Sequence, residues 1–238
     1  MSLPDLAWQI AYGRLAWGVV IAAMLVALWP AARRLPRPAF GAVLAALALL
    51  MALPGEASPA YWLGLAFQYP SGMLLGLCLL GLHARWQGRP AGAAMPLSAA
   101  AAIAIAGAAL YLDAIGWLSQ GYYYAGFGPF GAPAVALAAI AGCALALLRG
   151  RGGRQNLALL GALLLFTLLR LPTGNLWDAV LDPLLWAWAL ATLIRRAGRW
   201  IVRSPARRKL AEPDPGLEPE LPALRTAPPI EQFSISKE

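Results

Sequence analysis

Seventeen of the nineteen Lys and Arg residues of this chain fall either in every second gap between apolar stretches or in the C-terminal tail. A soluble domain has no reason to sort its cations in this way. A multi-span membrane protein does, because short cytoplasmic loops retain Lys and Arg. With 60% hydrophobic and 13% charged residues, the chain is also too apolar for an ordinary water-soluble domain. A formal net charge of +8 would suggest nucleic acid in a soluble protein. Here the charge flanks apolar stretches and no RNA-binding or zinc-finger motif occurs, so anionic lipid headgroups are the expected partner and nucleic acid is not.

A bilayer core of about 30 Å needs about 20 helical residues. Seven apolar windows approach that length, at 15–32, 38–54, 61–83, 95–118, 131–148, 156–172 and 176–194. The expected fold class is therefore all-α: a polytopic transmembrane helical bundle of about seven spans, with the N-terminus outside and the C-terminus cytoplasmic. Arg33, Arg34 and Arg37 follow the first window, Arg85 and Arg89 the third, and Arg149, Arg151 and Arg154 the fifth. Nine more cations lie beyond the seventh, from Arg195 to Lys237, and only Arg14 and Arg170 fall on the opposite side. The second window, short and bracketed by Pro38 and Pro54, is the weakest of the seven.

Three segments follow from this pattern: a helical membrane domain at 1–194, a basic juxtamembrane segment at 195–210, and a disordered cytoplasmic tail at 211–238. The juxtamembrane segment interleaves Trp200 and Ile201 with its cations, which suits the surface of an anionic leaflet from Arg195 to Lys209. The tail is rich in Pro, Glu and Ser, with too few apolar residues to offset chain entropy. The first window lacks a small-residue cleavage site and is expected to be retained. A bacterial cytoplasmic (inner) membrane is the expected location. Cys78 and Cys143 have no CxxC spacing and read as packing residues. Gly72 and Gly76 form a GxxxG pair expected to pack within the chain.

Ionised groups within hydrocarbon are costly and need a partner, a wet cavity or a function. Counting about 1.5 Å per residue from the outer end of each window places Gln68, Asp113, Arg170, Asp178 and Asp182 together in the outer third of the bilayer. Pro70 and Pro183 interrupt their helices at the same level. These residues predict an outward-facing polar pocket between windows three, four, six and seven, covered by the aromatic loop from Tyr122 to Phe130. The layer carries three Asp against Arg14 and Arg170, one acid in excess, so either a carboxylate is protonated or a cation is bound.

The densest polar segment runs from Arg170 to Pro183. Asp178 and Asp182, spaced i and i+4, are expected on one helix face within reach of Arg170. Two readings stay open. In one, the cluster binds a ligand or performs acid–base chemistry. In the other, Asn175 or Thr173 caps the helix, Asp178 completes a capping box, and Arg170 pairs with Asp182 as a staple. Asp113 is equally open to a structural bond with Gln68 or a neighbouring helix, and His83 reads as a solvated interface residue.

Two partial resemblances mark limits. The span count and orientation resemble the microbial rhodopsins, but the last window lacks the Lys that family needs for retinal. Gly174-Asn175-Leu176-Trp177-Asp178 is similar to the Gly-Asn-x-x-Asp element of the lipoprotein signal peptidases. No Arg follows Asp178, the second acid comes four residues later, and that family has four spans, so no residue role is carried over.

No nucleotide-binding glycine loop, metal-ligand cluster, nucleophile elbow or redox cysteine pair occurs, and no cofactor is expected. Three functions fit: a non-catalytic accessory or scaffold subunit in envelope assembly that holds other membrane proteins or lipids, a small proton- or cation-coupled carrier, and an outer-leaflet enzyme acting on a lipid-linked or anionic substrate.

Overall fold

The computed structural model describes residues 3–29, 35–89, 95–150 and 153–211, the last eleven by backbone only. Arg33, Arg34, Arg151 and the tail beyond Ala211 lie outside the described residues. Helices and turns are the only regular structure among those described. The helices are α1 (Leu6–Leu28), α2 (Arg37–Ala52), α3 (Pro59–Phe67), α4 (Gly72–Trp86), α5 (Leu97–Ala114), α6 (Tyr122–Ala125), α7 (Gly131–Leu148), α8 (Arg154–Leu169), α9 (Leu176–Val180) and α10 (Pro183–Ala211). A 3-10 turn, Gly55–Ala57, connects α2 to α3. The chain divides into two compact units, Met1–Arg196 and Ala197–Glu238.

Among the described residues, three helices are long and apolar enough to cross a membrane: α1, α5 and α7. Helices α2, α4 and α8 are apolar but shorter, at 16, 15 and 16 residues. The fifth window and α7 have the same bounds. Elsewhere the helices depart from the windows for identifiable reasons. Helix α1 starts at Leu6, nine residues before its window, because the Asp5 side chain accepts the Ala7 N–H at 2.8 Å and caps it. Arg14 therefore sits about 12 Å along α1, at 1.5 Å per residue, rather than at its end. The third window is two helices, since α3 stops at Phe67, Gln68 takes a positive φ of 61°, and α4 begins only after Ser71. The seventh window is likewise split into α9 and α10 by extended backbone at Leu181 (φ −137°, ψ 137°). Helix α10 then continues past residue 194 through Ala211.

Each break supplies its own caps. Ser71 accepts the Leu74 N–H at 3.1 Å, and Ser58, buried at the start of α3, accepts from Ala60 while donating to the Met51 carbonyl at 2.7 Å. Without such acceptors the first N–H groups of a helix in an apolar medium have no partner.

Helix α4 packs extensively on α8. It rests on small residues. A Cβ on Gly72 would come 2.9 Å from the Ala162 Cα, and one on Gly76 would come 2.9 Å from the Ala158 Cα. The GxxxG pair thus seats against Ala158 and Ala162, where close backbone approach replaces the hydrophobic drive that lipid does not provide. Helix α1 packs on α2, α3 and α4, and α8 packs on α7 and α9.

At one end of the unit two cationic gaps come together. Arg37, from the gap after α1, donates to the Trp86 carbonyl at 2.9 Å, and Arg85, at the end of α4, donates to the Leu35 carbonyl at 2.7 Å. The Arg85 guanidinium also lies 5.2 Å from the centroid of the Phe40 ring.

Gly76→Val is expected to lower the thermal midpoint and folded yield, by about 1–3 kcal/mol for overpacking against a helix backbone, while the remaining protein elutes like the wild type. Unchanged stability with an altered oligomeric state would instead place the glycine pair on a face between copies.

Candidate functional site

The two helix breaks meet at one side chain. Asp182 is buried, with 6% of its surface exposed, and its two oxygens divide between two helices. Oδ1 accepts the Leu185 N–H at 2.8 Å and so caps α10, whereas Oδ2 accepts the Ser71 N–H at 2.7 Å at the start of α4. The positive ends of two helix dipoles thus converge on one carboxylate. The carbonyl side of the α3–α4 break is served from α1: the Tyr12 hydroxyl donates to the Pro70 carbonyl at 2.7 Å and the Trp17 indole N–H to the Gln68 carbonyl at 3.1 Å.

Asp113, at the end of α5, organises the aromatic loop. Its carboxylate accepts three backbone N–H groups, from Gln120 at 2.8 Å, Gly121 at 2.9 Å and Tyr123 at 2.8 Å. Those bonds start α6, and the loop then docks on the segment before and within α9. The buried Asn175 accepts the Trp177 N–H at 2.9 Å as the α9 cap and donates through Nδ2 to the Tyr123 carbonyl at 3.2 Å. The Trp177 indole donates to the Tyr122 carbonyl at 2.8 Å, and the Leu176 N–H to the Gly126 carbonyl at 3.0 Å. Gly126 is required there, because a Cβ would overlap the Asn175 side-chain oxygen.

Asp178 receives hydroxyls rather than backbone. The Thr173 hydroxyl donates to Oδ2 at 2.6 Å, and the Tyr123 hydroxyl lies 3.2 and 3.3 Å from the two carboxylate oxygens. A capping box on α9 does not form, since the Asn175 N–H is directed to the Thr173 oxygen at 3.3 Å. Arg170 does not staple the hairpin either. Among the described residues no ion pair joins it to Asp178 or Asp182, and its guanidinium lies 5.0 Å from the centroid of the Phe166 ring. The extended Leu181 between Asp178 and Asp182 explains part of this, because i and i+4 share a face only along an unbroken helix.

A cavity of about 310 Å³ opens where these elements meet. The α3–α4 break contributes Phe67, Gln68 and Tyr69; α5 contributes Tyr111; and α6 contributes Tyr123. Thr173, Trp177, Asp178 and Asp182 close it from the other side. Of the six residues singled out in the sequence, Gln68, Asp178 and Asp182 line this cavity, whereas Asp113, Asn175 and Arg170 do not. Asp113 and Asn175 act one layer out, holding the loop that carries Tyr123. No bond joins Asp113 to Gln68 among the described residues; its partners are backbone N–H groups.

Sequence reasoning missed Tyr12, Trp17, Ser71 and Tyr111. Ser71, directly after Pro70, carries an N-cap signal legible in the sequence. The aromatic donors of α1 carry none, because their targets are 58 and 51 residues away. Among the described residues no three His, Cys, Asp or Glu side chains gather as a metal site would require.

Asp113→Ala is expected to release the loop, with amide exchange at Gln120, Gly121 and Tyr123 rising by at least about tenfold while α7 and α8 keep their protection. Gly126→Ala should produce the same pattern from the opposite side of the contact. Unchanged exchange in both variants would contradict the docking described.

No family model matches this chain, and no curated protein or solved structure gives a significant match. The functional reading therefore rests on the geometry of the breaks, the loop and the cavity between them.

Proposed function

We propose that this chain is a non-catalytic multi-span protein of a bacterial cytoplasmic membrane, an accessory or scaffold subunit of the cell envelope that presents a binding pocket at the outer face. The observation that carries the reading is how the acids are used. Asp113 accepts three backbone N–H groups, Asp182 two, and Asp178 two hydroxyls. The carboxylates of the polar layer are thus met by peptide dipoles and hydroxyls, which hold loops and helix starts in place.

This usage argues against an acid–base pair. An enzyme would need one carboxylate free to take a proton and the other placed to return it. Asp182 instead has a fixed donor on each oxygen. An enzyme for anionic substrates would also place a cation in the pocket, yet Arg170 packs over Phe166 and lines no part of it.

The proposed topology counts α3 with α4 as one crossing and α9 with α10 as another, beside α1, α2, α5, α7 and α8. Helices of 9 and 15 residues supply about 36 Å between them at 1.5 Å per residue, enough for a hydrocarbon core of about 30 Å. The meeting of Arg37 with Trp86 and of Arg85 with Leu35 supports a common cytoplasmic side for the gaps after α1 and α4. With that side inward, the cavity, the aromatic loop and both breaks face outward. The proposed partners are anionic lipids along Arg195 to Lys209 and other membrane proteins.

A second reading, the cation-coupled carrier, draws on the same two interruptions, because broken helices commonly surround transported ions. It differs in what Asp182 should do. A structural Asp182 predicts that Asp182→Asn lowers the thermal midpoint and the folded yield, since one of two buried N–H donors loses its charged acceptor at about 1–3 kcal/mol. The same readouts for Arg170→Gln are expected to match the wild type. Normal stability in Asp182→Asn together with lost cation uptake into vesicles would favour the carrier and overturn the scaffold.

A further inference from the structure

We propose that the cavity binds a primary organic ammonium, its N–H groups donated to Asp178 and its carbon body seated against the surrounding rings. This names the ligand class of the pocket and rests on the non-catalytic reading above.

Three observations lead there. The lining contains two carboxylates and neither Lys nor Arg, so its charge favours a cation. Phe67, Tyr69, Tyr111, Tyr123 and Trp177 supply aromatic surface, whose negative faces attract ammonium groups. Asp182 has both oxygens engaged by backbone N–H groups, but Asp178 has only hydroxyl donors, and an ionised carboxylate offers about four lone-pair sites. Asp178 is also the less buried of the two, so its remaining lone pairs are the accessible ones.

Size narrows the class. About 310 Å³ lies at the small end of ligand pockets, which suits an amine of a few carbons better than a polyamine or a nucleotide. Ammonium chemistry could arrive as a free amine or as the ethanolamine headgroup of a lipid. The lining offers no cation for the adjoining lipid phosphate, which favours the free amine.

The full chain in phosphatidylglycerol nanodiscs, titrated with propylammonium chloride by calorimetry, should bind saturably, whereas sodium chloride at equal ionic strength should not. Asp178→Asn is expected to weaken binding about tenfold or more, the scale of losing a charge-assisted bond. Phe67→Leu, at a half-exposed position, is expected to keep the wild-type thermal midpoint and weaken binding several-fold through its lost ring face. If phosphatidylethanolamine nanodiscs lower the apparent affinity, the headgroup competes and is a source of the ligand; equal affinity in both lipids assigns it to free amines. No saturable binding by the folded wild-type protein, a matching response to sodium, or wild-type affinity in both variants would overturn the proposal. Such a failure would leave the stability test of Asp182→Asn untouched, so the ligand class and the scaffold reading fail separately.

Discussion

Two helices begin in the middle of apolar stretches, and the first N–H groups of each need an acceptor that lipid cannot supply. One carboxylate serves both. Asp182 ties the start of α4 to the start of α10 through Ser71 and Leu185, so the two breaks are one structural feature and not two defects at a similar depth. Removing the acid would leave buried donors at both helix starts, which is why an acid is tolerated there despite the cost of burying charge. The carbonyl side of the α3–α4 break is satisfied by Tyr12 and Trp17, so α1 is held to the same junction.

The rest of the site is layered on that junction. Asp113 starts α6, Asn175 starts α9, and the bonds between loop and hairpin bring Tyr123 against Asp178. Acids that look alike in the sequence therefore have different tasks. Asp113 shapes a loop and Asp182 joins helices. Asp178 alone faces the cavity with only side-chain hydroxyls as partners.

Much of this architecture could be read from residue order. Apolar windows located the helices, and α7 coincides with its window because Phe130-Gly131 and Arg149-Gly150 bound it sharply. Pro70 and Pro183 announced the interruptions, although windows of mean hydropathy run straight across them. Arg14 misled the reading of α1, since a single cation resembled a span boundary while Asp5 held the real cap. The Arg170 partner was not legible, because i and i+4 logic assumes a continuous helix and Leu181 is extended. The service of Gln68 and Pro70 carbonyls by α1 was hidden for a different reason: long-range donors leave no local pattern.

The central claim is that Asp182 holds two helix starts at once, and residue-resolved amide exchange in nanodiscs tests it most directly. The account predicts that Ser71 and Leu185 in the wild-type protein exchange as slowly as amides in the middle of α4, and that both accelerate together in Asp182→Ala. Fast exchange at Ser71 in the wild type, or acceleration at Leu185 alone in the variant, would contradict it.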